Sequence, residues 1–355
     1  MKRLVITLVL AGLLLVALAA PAGASAGTWQ PGALATLSAG DYGSFAEGMA
    51  ANSHGRLFVS LTTWGYYDET VDPSLWGSNI GEVWRVMPNG AKALVATKDL
   101  SPNGMLLGVA VDRLDRVYVL TYDFGDPQTV GCGIYRVNTG GSMVKKISLP
   151  AGTWPNGLAI HRGRAYITDS ATGAVWRARI GSGVASPASP WFQDALLAPG
   201  DPTSDPAMTG IGANGIAFRG ERLFVSVPDY GRIVRVRVKD DGSPGAPSVI
   251  SEQPELRSAD GIAFDALGGL WIATNAGTTG ASPSGGLYRL SPAAGLWRIA
   301  DDPGWLNYPT SPVFGTTRGA QRTLYVENGA YFSFDDLVGP DIQVLHVGIP
   351  GQPVR

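Results

Sequence analysis

The chain has 355 residues, of which 45% are hydrophobic and 16% are charged, so it is long enough to bury a large core in one or two domains. The formal net charge is −2, and no basic block occurs along the chain, which gives no support for nucleic-acid or anionic-membrane binding. Gly and Pro make up about a fifth of the residues while aromatic residues stay frequent, a composition typical of a folded, turn-rich protein. Cys132 is the only cysteine, which excludes an intramolecular disulfide and a Cys-based zinc site.

The N-terminus has the pattern of a secretory signal peptide. A basic start precedes an apolar run at residues 4–20, and two A-x-A cleavage options follow, the second ending at Ala26. An uncleaved membrane anchor is the alternative, because the apolar run could just span a bilayer, but the A-x-A pattern favours cleavage. We therefore expect a signal peptide at residues 1–26, one mature domain at residues 27–355, a secreted or extracytoplasmic location and no membrane attachment after cleavage.

A short phrase recurs along the mature chain: a polar residue, then Gly, then an apolar strand. Counting weaker copies, the six openings, spaced 46 to 60 residues apart, are Glu47, Leu107, Asn156, Asn214, Asp260 and Thr310. Repeats near 50 residues that are built of short strands indicate a β-propeller with one four-stranded blade per repeat. The sequence therefore predicts an all-β fold, a six-bladed β-propeller of four-stranded blades.

Further strand and loop signals complete each repeat. Apolar residues alternate with Arg in third strands such as those near Ala174 and Arg232, which is the period of a strand with one exposed face. Residues 34–37 are predicted to supply the outer strand of the last blade, because ring closure removes an open sheet edge. Residues 62–80, rich in aromatic side chains, and the Pro/Asp-rich residues 199–212 are candidate rim loops or pocket walls.

The residues that open the first strands should ring one mouth of the central channel, because the first strand of each propeller blade lies innermost. Four of them have carboxylate or amide side chains: Glu47, Asn156, Asn214 and Asp260. Two carboxylates and two amide carbonyls suit a hard divalent cation, and Ca²⁺ accepts that mixture, whereas zinc would need His or Cys. The alternative is that Asn-Gly and Asp-Gly are only turn pairs that tolerate positive φ. Glu47 favours the metal site, because Glu is not a favoured turn residue yet holds the same register.

The turns after the second strands should face the same mouth. Their polar residues are Asp123, Asp169, Asp229, Asn275 and Asn328. Most of these are expected to form Asx turns that hold the loop shape, with some lining the pocket. The three histidines lie outside the ring register, and no Ser-His-Asp context or phosphate-binding loop is present.

At these positions the chain resembles the SMP-30/gluconolactonase family of six-bladed propellers, and through it the calcium-dependent phosphotriesterases of the same architecture. The family's Glu-Gly motif matches at Glu47, and its Asn-Gly-[Leu/Ile]-Ala motif matches at Asn156 and Asn214. Its Asp-Gly motif, with the Leu-Trp-Ile-Ala strand that follows, matches at Asp260. The similarity covers roughly residues 45–330.

The resemblance implies metal-dependent hydrolysis of a lactone, or of a related ester or phosphoester, with a small-molecule substrate. It implies that the four ring residues hold the metal or face the substrate, and that Asp260 is both ligand and general base. Ala263 stands where some phosphotriesterase relatives have an acidic residue, which favours lactonase chemistry. Two alternatives stay open: a non-enzymatic propeller that binds a ligand, glycan or protein on its loop face, since fold does not fix function, and a metal-free strictosidine-synthase-like propeller.

Overall fold

A computed structural model describes residues 32–37, 44–64, 79–123, 132–180, 187–203, 205, 209–275, 285–300, 305–330 and 340–353. The predicted signal peptide lies outside these ranges. Within them the chain forms 24 strands and two short 3-10 helices, Pro228–Tyr230 and Pro254–Leu256. None of the helices in these ranges has the length and apolarity needed to cross a bilayer.

The strands form six four-stranded antiparallel sheets; five run in chain order from the inside outward, and the sixth takes its outermost strand from the start of the described chain. Blade 1 contains β2 (Ser44–Ala51), β3 (Leu57–Trp64), β4 (Asn79–Val86) and β5 (Lys92–Asp99). Blade 2 contains β6 (Gly104–Val111), β7 (Val117–Asp123), β8 (Gly133–Val137) and β9 (Met143–Ser148). Blade 3 contains β10 (Pro155–His161), β11 (Arg164–Asp169), β12 (Ala174–Arg179) and β13 (Ser189–Gln193).

The second half of the chain repeats the same arrangement. Blade 4 contains β14 (Ile216–Arg219), β15 (Arg222–Val227), β16 (Arg232–Val238) and β17 (Pro244–Glu252). Blade 5 contains β18 (Ala259–Phe264), β19 (Leu270–Thr274), β20 (Gly286–Ser291) and β21 (Gly295–Ala300). Blade 6 contains β22 (Pro309–Phe314), β23 (Thr323–Asn328), β24 (Asp341–His346) and, from the other end of the chain, β1 (Gly32–Thr36). The predicted six-bladed propeller is confirmed.

The ring is closed by the N-terminal strand, as the sequence predicts. β1 pairs antiparallel with β24, with Gly32 opposite Val344 and Thr36 opposite Asp341. The chain then buries Leu37, whose N–H donates to the carbonyl of Pro340 at 2.7 Å. Blade 6 is therefore built from both ends of the described chain, and β1 supplies its fourth, outermost strand.

Burial along the strands follows from their place in the blade. The second strands β19 and β23 are buried at every position, because a strand inside a blade is covered on both faces by its neighbouring blades. The outermost strand β9 is largely exposed, and third strands such as β16 alternate between buried apolar and more exposed Arg residues. The sequence accordingly uses continuous apolar runs in second strands and alternation further out.

An apolar cluster lies at each of the six junctions between blades. The pairs that mark these junctions, in order from blades 1 and 2 round to blades 6 and 1, are Phe58 with Val119, Leu120 with Ile167, Tyr166 with Val225, Phe224 with Ile272, Trp271 with Leu324, and Tyr325 with Val59. Each fully buried side chain of this size contributes about 1.5–3 kcal/mol. The core is therefore distributed around the ring and holds six first strands against one axis.

The predicted loop at residues 62–80 is wrong at both ends. β3 continues to Trp64 and β4 begins at Asn79, with Thr63 paired to Ile80. The long aligned ladder between the two strands extends the hairpin beyond the apolar residues that identify the strands in the sequence. Residues 65–78, the segment that a lid would use, lie outside the described residues.

Candidate functional site

The first strands of all six blades enclose a central cavity of about 880 Å³. Glu47, Asn156, Asn214 and Asp260 all contribute to its lining, each from a different blade. The other two openings differ: Leu107 and Thr310 are fully buried, Leu107 within an apolar cluster. The fold therefore brings the four predicted oxygen-bearing residues to one cavity, as the ring hypothesis requires.

The glycines that follow these residues are not turn glycines. Gly48, Gly157, Gly215 and Gly261 do not have positive φ. A Cβ on Gly157 would lie 2.6 Å from the carbonyl oxygen of Asn214, and a Cβ on Gly215 would lie 2.0 Å from that of Asp260. Gly is needed because adjacent first strands approach each other too closely for a side chain. The turn interpretation of these dipeptides is therefore wrong: Glu47, Asn156 and Asp260 lie on innermost strands, and Asn214 lies two residues before β14.

Asp260 is a buried ring carboxylate that two amide side chains hold in place. It is 5% exposed, and its Oδ2 accepts a hydrogen bond from Nδ2 of Asn275 at 2.8 Å. The amide of Asn214 also donates to this carboxylate. Burial raises the pKa of Asp260 to about 7, against the lowering effect of the two amide donors. An acid of this kind is held where a positive charge would relieve the penalty of burying its carboxylate.

The amide nitrogen of Asn214 donates a hydrogen bond to Asp260, whereas its carbonyl oxygen accepts none from the described residues. Its Oδ1 is buried and has no hydrogen-bond partner among the described residues. A buried carbonyl oxygen without a partner is uncommon and indicates a missing donor or cation. Asn156, also buried, presents a second amide to the same cavity, while Glu47 is half-buried.

A third carboxylate, Glu327 on β23, belongs to this neighbourhood and was not predicted as a site residue. It is completely buried, its Oε2 accepts from the Thr310 hydroxyl at 3.3 Å, and its Oε1 has no partner among the residues described. Burial, followed by the negative charge of Glu47 and then of Asp260, raises the pKa of Glu327 well above its ordinary value, against the hydrogen bond from Thr310. A Glu inside the buried Tyr-Val-Glu-Asn strand is the sequence signal that could have identified it.

The polar residues in the turns after the second strands have mostly structural roles, as expected. Asp169 accepts four hydrogen bonds, including one from the Trp154 N–H at 3.0 Å. Asp229 accepts five from the loop at residues 199–212, and Asn328 joins Trp305, Asn307 and Asp341. Asp123 ends β7 and is buried.

Asn275 is different, because its amide contacts Asp260 and also the carbonyl oxygen of Pro309 at 3.4 Å. Its amide therefore ties the turn after β19 directly to a ring side chain.

The opposite end of the cavity is lined by the hairpin turns that follow the first strands. His161 lies there, stacked on Phe218 at 4.3 Å and 3.3 Å from Glu221. After β24 the chain crosses this end: Gly351 bridges to Asp265, and the Gln352 amide donates to the carbonyl of Phe218 at 3.0 Å. Gln352 itself lines the cavity. The ring residues therefore sit toward one mouth, and the histidine sits toward the other.

The donor chemistry of the ring fits a hard cation. Among the described residues, no three His, Cys, Asp or Glu side chains lie close enough together to hold an ion by themselves. A cation would therefore depend on amide oxygens as well as carboxylates, and the unpartnered Oδ1 of Asn214 supplies one. Oxygen donors of mixed charge are the set that Ca²⁺ accepts, with water completing its shell.

No protein-family model and no curated protein sequence matches this chain. Solved structures do. A gluconolactonase from Xanthomonas campestris is 18% identical with a TM-score of 0.58, over 92% of this chain and 90% of that protein. A calcium-binding protein, regucalcin, from Agrobacterium tumefaciens is 17% identical with a TM-score of 0.56, over 87% of this chain and 92% of that protein.

A third solved structure has the same scaffold with another chemistry. The PQQ-bound aldose sugar dehydrogenase from Streptomyces coelicolor is 17% identical with a TM-score of 0.51, over 91% of this chain and 98% of that one. At these identities the similarity shows the fold alone. The resemblance predicted from the motifs is thus supported for the propeller scaffold, and function has to be argued from the site.

Proposed function

We propose that this protein is an exported, Ca²⁺-dependent hydrolase of a lactone or a related ester. The observation that carries the proposal is the convergence of Glu47, Asn156, Asn214 and Asp260 on one cavity, where the buried Asn214 Oδ1 lacks a partner. The gluconolactonase and the calcium-binding regucalcin are solved examples of this fold whose names agree with it. Export rests on the signal-peptide pattern of residues 1–26.

The four ring residues would hold the cation, with carboxylates from blades 1 and 5 and amide oxygens from blades 3 and 4. A bound Ca²⁺ would supply Lewis-acid polarisation of the substrate carbonyl. Two carboxylates against a divalent cation leave the centre near neutral, so an uncharged lactone can enter without electrostatic repulsion.

Asp260 is the residue assigned to proton transfer. Its carboxylate accepts a proton from the water that attacks the lactone carbonyl; the ring C–O bond then breaks, the leaving alkoxide oxygen takes that proton from Asp260, and the product is a hydroxy acid. General bases of this kind contribute about 10²–10⁴-fold in rate. Asn275 and Asn214 fix the carboxylate by donating hydrogen bonds to it, so its basic oxygen is held in one orientation.

Lactone hydrolysis can be measured directly in a pH-stat, with δ-valerolactone and glucono-δ-lactone as probes. We expect the purified mature protein to accelerate hydrolysis above the spontaneous rate, to lose that activity in EDTA and to recover it with Ca²⁺. Asp260→Asn should lower kcat by about 10²–10⁴-fold.

His161→Gln is the matched control, because this residue lines the opposite end of the same cavity and should leave the rate unchanged. Activity that ignores EDTA would contradict the metal-dependent mechanism. No acceleration by a protein that binds Ca²⁺ would indicate the alternative, a propeller that binds a ligand, glycan or protein without turnover.

A further inference from the structure

The second strands carry a repeated hydroxyl that links neighbouring blades. In blade 1, the Ser60 hydroxyl accepts from the N–H of Gly48 at 3.0 Å and donates to the carbonyl of Leu107 in blade 2 at 2.7 Å. Each such hydroxyl therefore joins its own first strand to the ring residue of the next blade.

Two further blades repeat these contacts. Thr168 accepts from Gly157 and donates to the carbonyl of Asn214. Ser226 does the same between Gly215 and Asp260, at 2.8 and 2.9 Å. The hydroxyl therefore links blades 1, 3 and 4 to the blade that follows each of them, whereas blades 2 and 5 have Leu120 and Ala273 at the same register.

Blade 6 has a carboxylate at this register. Glu327 is opposite Ser311, as Ser60 is opposite Gly48, and Ser311 follows ring residue Thr310 as Gly48 follows Glu47. The junction with blade 1 is made by other groups: the Ser311 hydroxyl donates to the carbonyl of Glu47 at 3.2 Å, and Thr310 donates to that of Ala46 at 3.4 Å. In blade 6, therefore, the hydroxyls that bond to the next blade lie on the first strand, β22, and not on the second strand.

Glu327 is thus a fully buried carboxylate at a position where the other five blades have a small hydroxyl or an apolar side chain. Its Oε1 is without a partner among the described residues, and the nearest charges that act on it, Glu47 and Asp260, are both negative. A buried carboxylate that faces only like charges is destabilising unless a cation compensates it. A second buried oxygen without a partner among the described residues, Oδ1 of Asn214, belongs to the ring of residues in front of Glu327.

We infer that Glu327 supports the cation site from behind the ring, as a third carboxylate that does not itself hold the ion but whose charge adds to those of Glu47 and Asp260. This inference rests on the proposed cation site and extends it to a residue that lies one strand behind the ring. Three carboxylates around a divalent cation leave a net negative centre. The site should therefore select uncharged or cationic lactones and esters over substrates that carry a phosphate or carboxylate.

The decisive variant is Glu327→Gln, which keeps the shape of the side chain and removes its charge. We expect calorimetric titration to show Ca²⁺ binding weakened by about 10–100-fold, the range found when a group supporting a metal site is removed. In EDTA the same variant should melt at a higher temperature than the wild type, because the penalty of burying this carboxyl group near two others is gone. A residue with a merely structural role would not move the two readouts in opposite directions.

Two further variants complete the test. Ser60→Ala is the matched control at the same register, and it should lower the melting temperature equally in EDTA and Ca²⁺ while leaving Ca²⁺ affinity within about twofold of wild type. Glu327→Thr places at position 327 the residue type that blade 3 uses, so it should fold even if Glu327→Gln does not, and it should show the same weakened Ca²⁺ binding.

The outcomes separate this inference from the proposed function. If wild type binds Ca²⁺ and Asp260→Asn does not, yet both Glu327 variants bind as wild type does, Glu327 is only structural and the cation site stands. A lower melting temperature of both Glu327 variants in EDTA would also overturn the inference. If wild type binds no Ca²⁺, the cation site itself is wrong, and the role of Glu327 fails with it.

Discussion

In EDTA, the stability of Asp260→Asn relative to wild type is expected to rise by up to about 4 kcal/mol between pH 4 and pH 8. The reason is the raised pKa of Asp260, about 7 in the folded protein. The folded state keeps the proton to a higher pH than the unfolded state does, so wild-type stability falls as pH rises from about 4 to about 7. Asn carries no charge at any of these pH values, and the variant escapes this loss.

Ca²⁺ should stabilise wild type and not the variant, and so offset much of this difference. At pH 8, saturating Ca²⁺ is expected to stabilise wild type, by about 2.7 kcal/mol at a hundred times the dissociation constant, and to leave Asp260→Asn unchanged. Thermal melts in EDTA and in Ca²⁺ at pH 4.5 and pH 8 measure all four conditions. Asp265→Asn is a suitable control, because this fully buried carboxylate pairs with Arg289 at 2.8 Å and its loss should destabilise in every condition. Parallel pH profiles of wild type and Asp260→Asn in EDTA would disprove the assigned environment of Asp260.

Gly215→Ala is expected to destabilise the protein by about 3 kcal/mol or more. The new Cβ would lie 2.0 Å from the carbonyl oxygen of Asp260 and 2.9 Å from the hydroxyl of Ser226. Both neighbours belong to the junction between blades 4 and 5, so relief requires the innermost strands to move apart. The same movement would displace Asp260, and we expect Ca²⁺ stabilisation to be lost together with stability.

Gly140→Ala provides the matched control, since a Cβ there would have no atom within 4 Å and the backbone is not in the positive-φ region. It should change the free energy of unfolding by less than about 0.5 kcal/mol. Urea denaturation of the two variants compares them under one condition. Equal tolerance of both substitutions would mean that the strands do not meet at Gly215 as closely as described.

The scaffold could be predicted from the sequence because every blade repeats the same local requirements. In five blades a Gly lies where neighbouring first strands touch, so the residue before it, polar in four of them, keeps a constant register from Glu47 to Asp260. The closing strand could be predicted as well, because residues 34–37 have a strand pattern and the last blade lacked its outer strand. These features depend on local pattern and on the need to close the ring.

The environment of the ring could not be predicted, because it depends on side chains from different blades. Asn275 was one of five similar turn residues in the sequence, and only the fold shows that its amide reaches Asp260. Glu327 was missed for a related reason. Its significance appears only when its register is aligned with Ser60, Thr168 and Ser226, which requires the strand pairing.

The central claim is that one cation binds at this ring, and calcium titration by calorimetry at pH 7.5 tests it most directly. We predict one Ca²⁺ per chain for the wild-type protein, with binding lost in Asp260→Asn and strongly weakened in Asn214→Ala, although these residues lie on different blades. No binding to wild type, or equal binding by all three proteins, would contradict the claim.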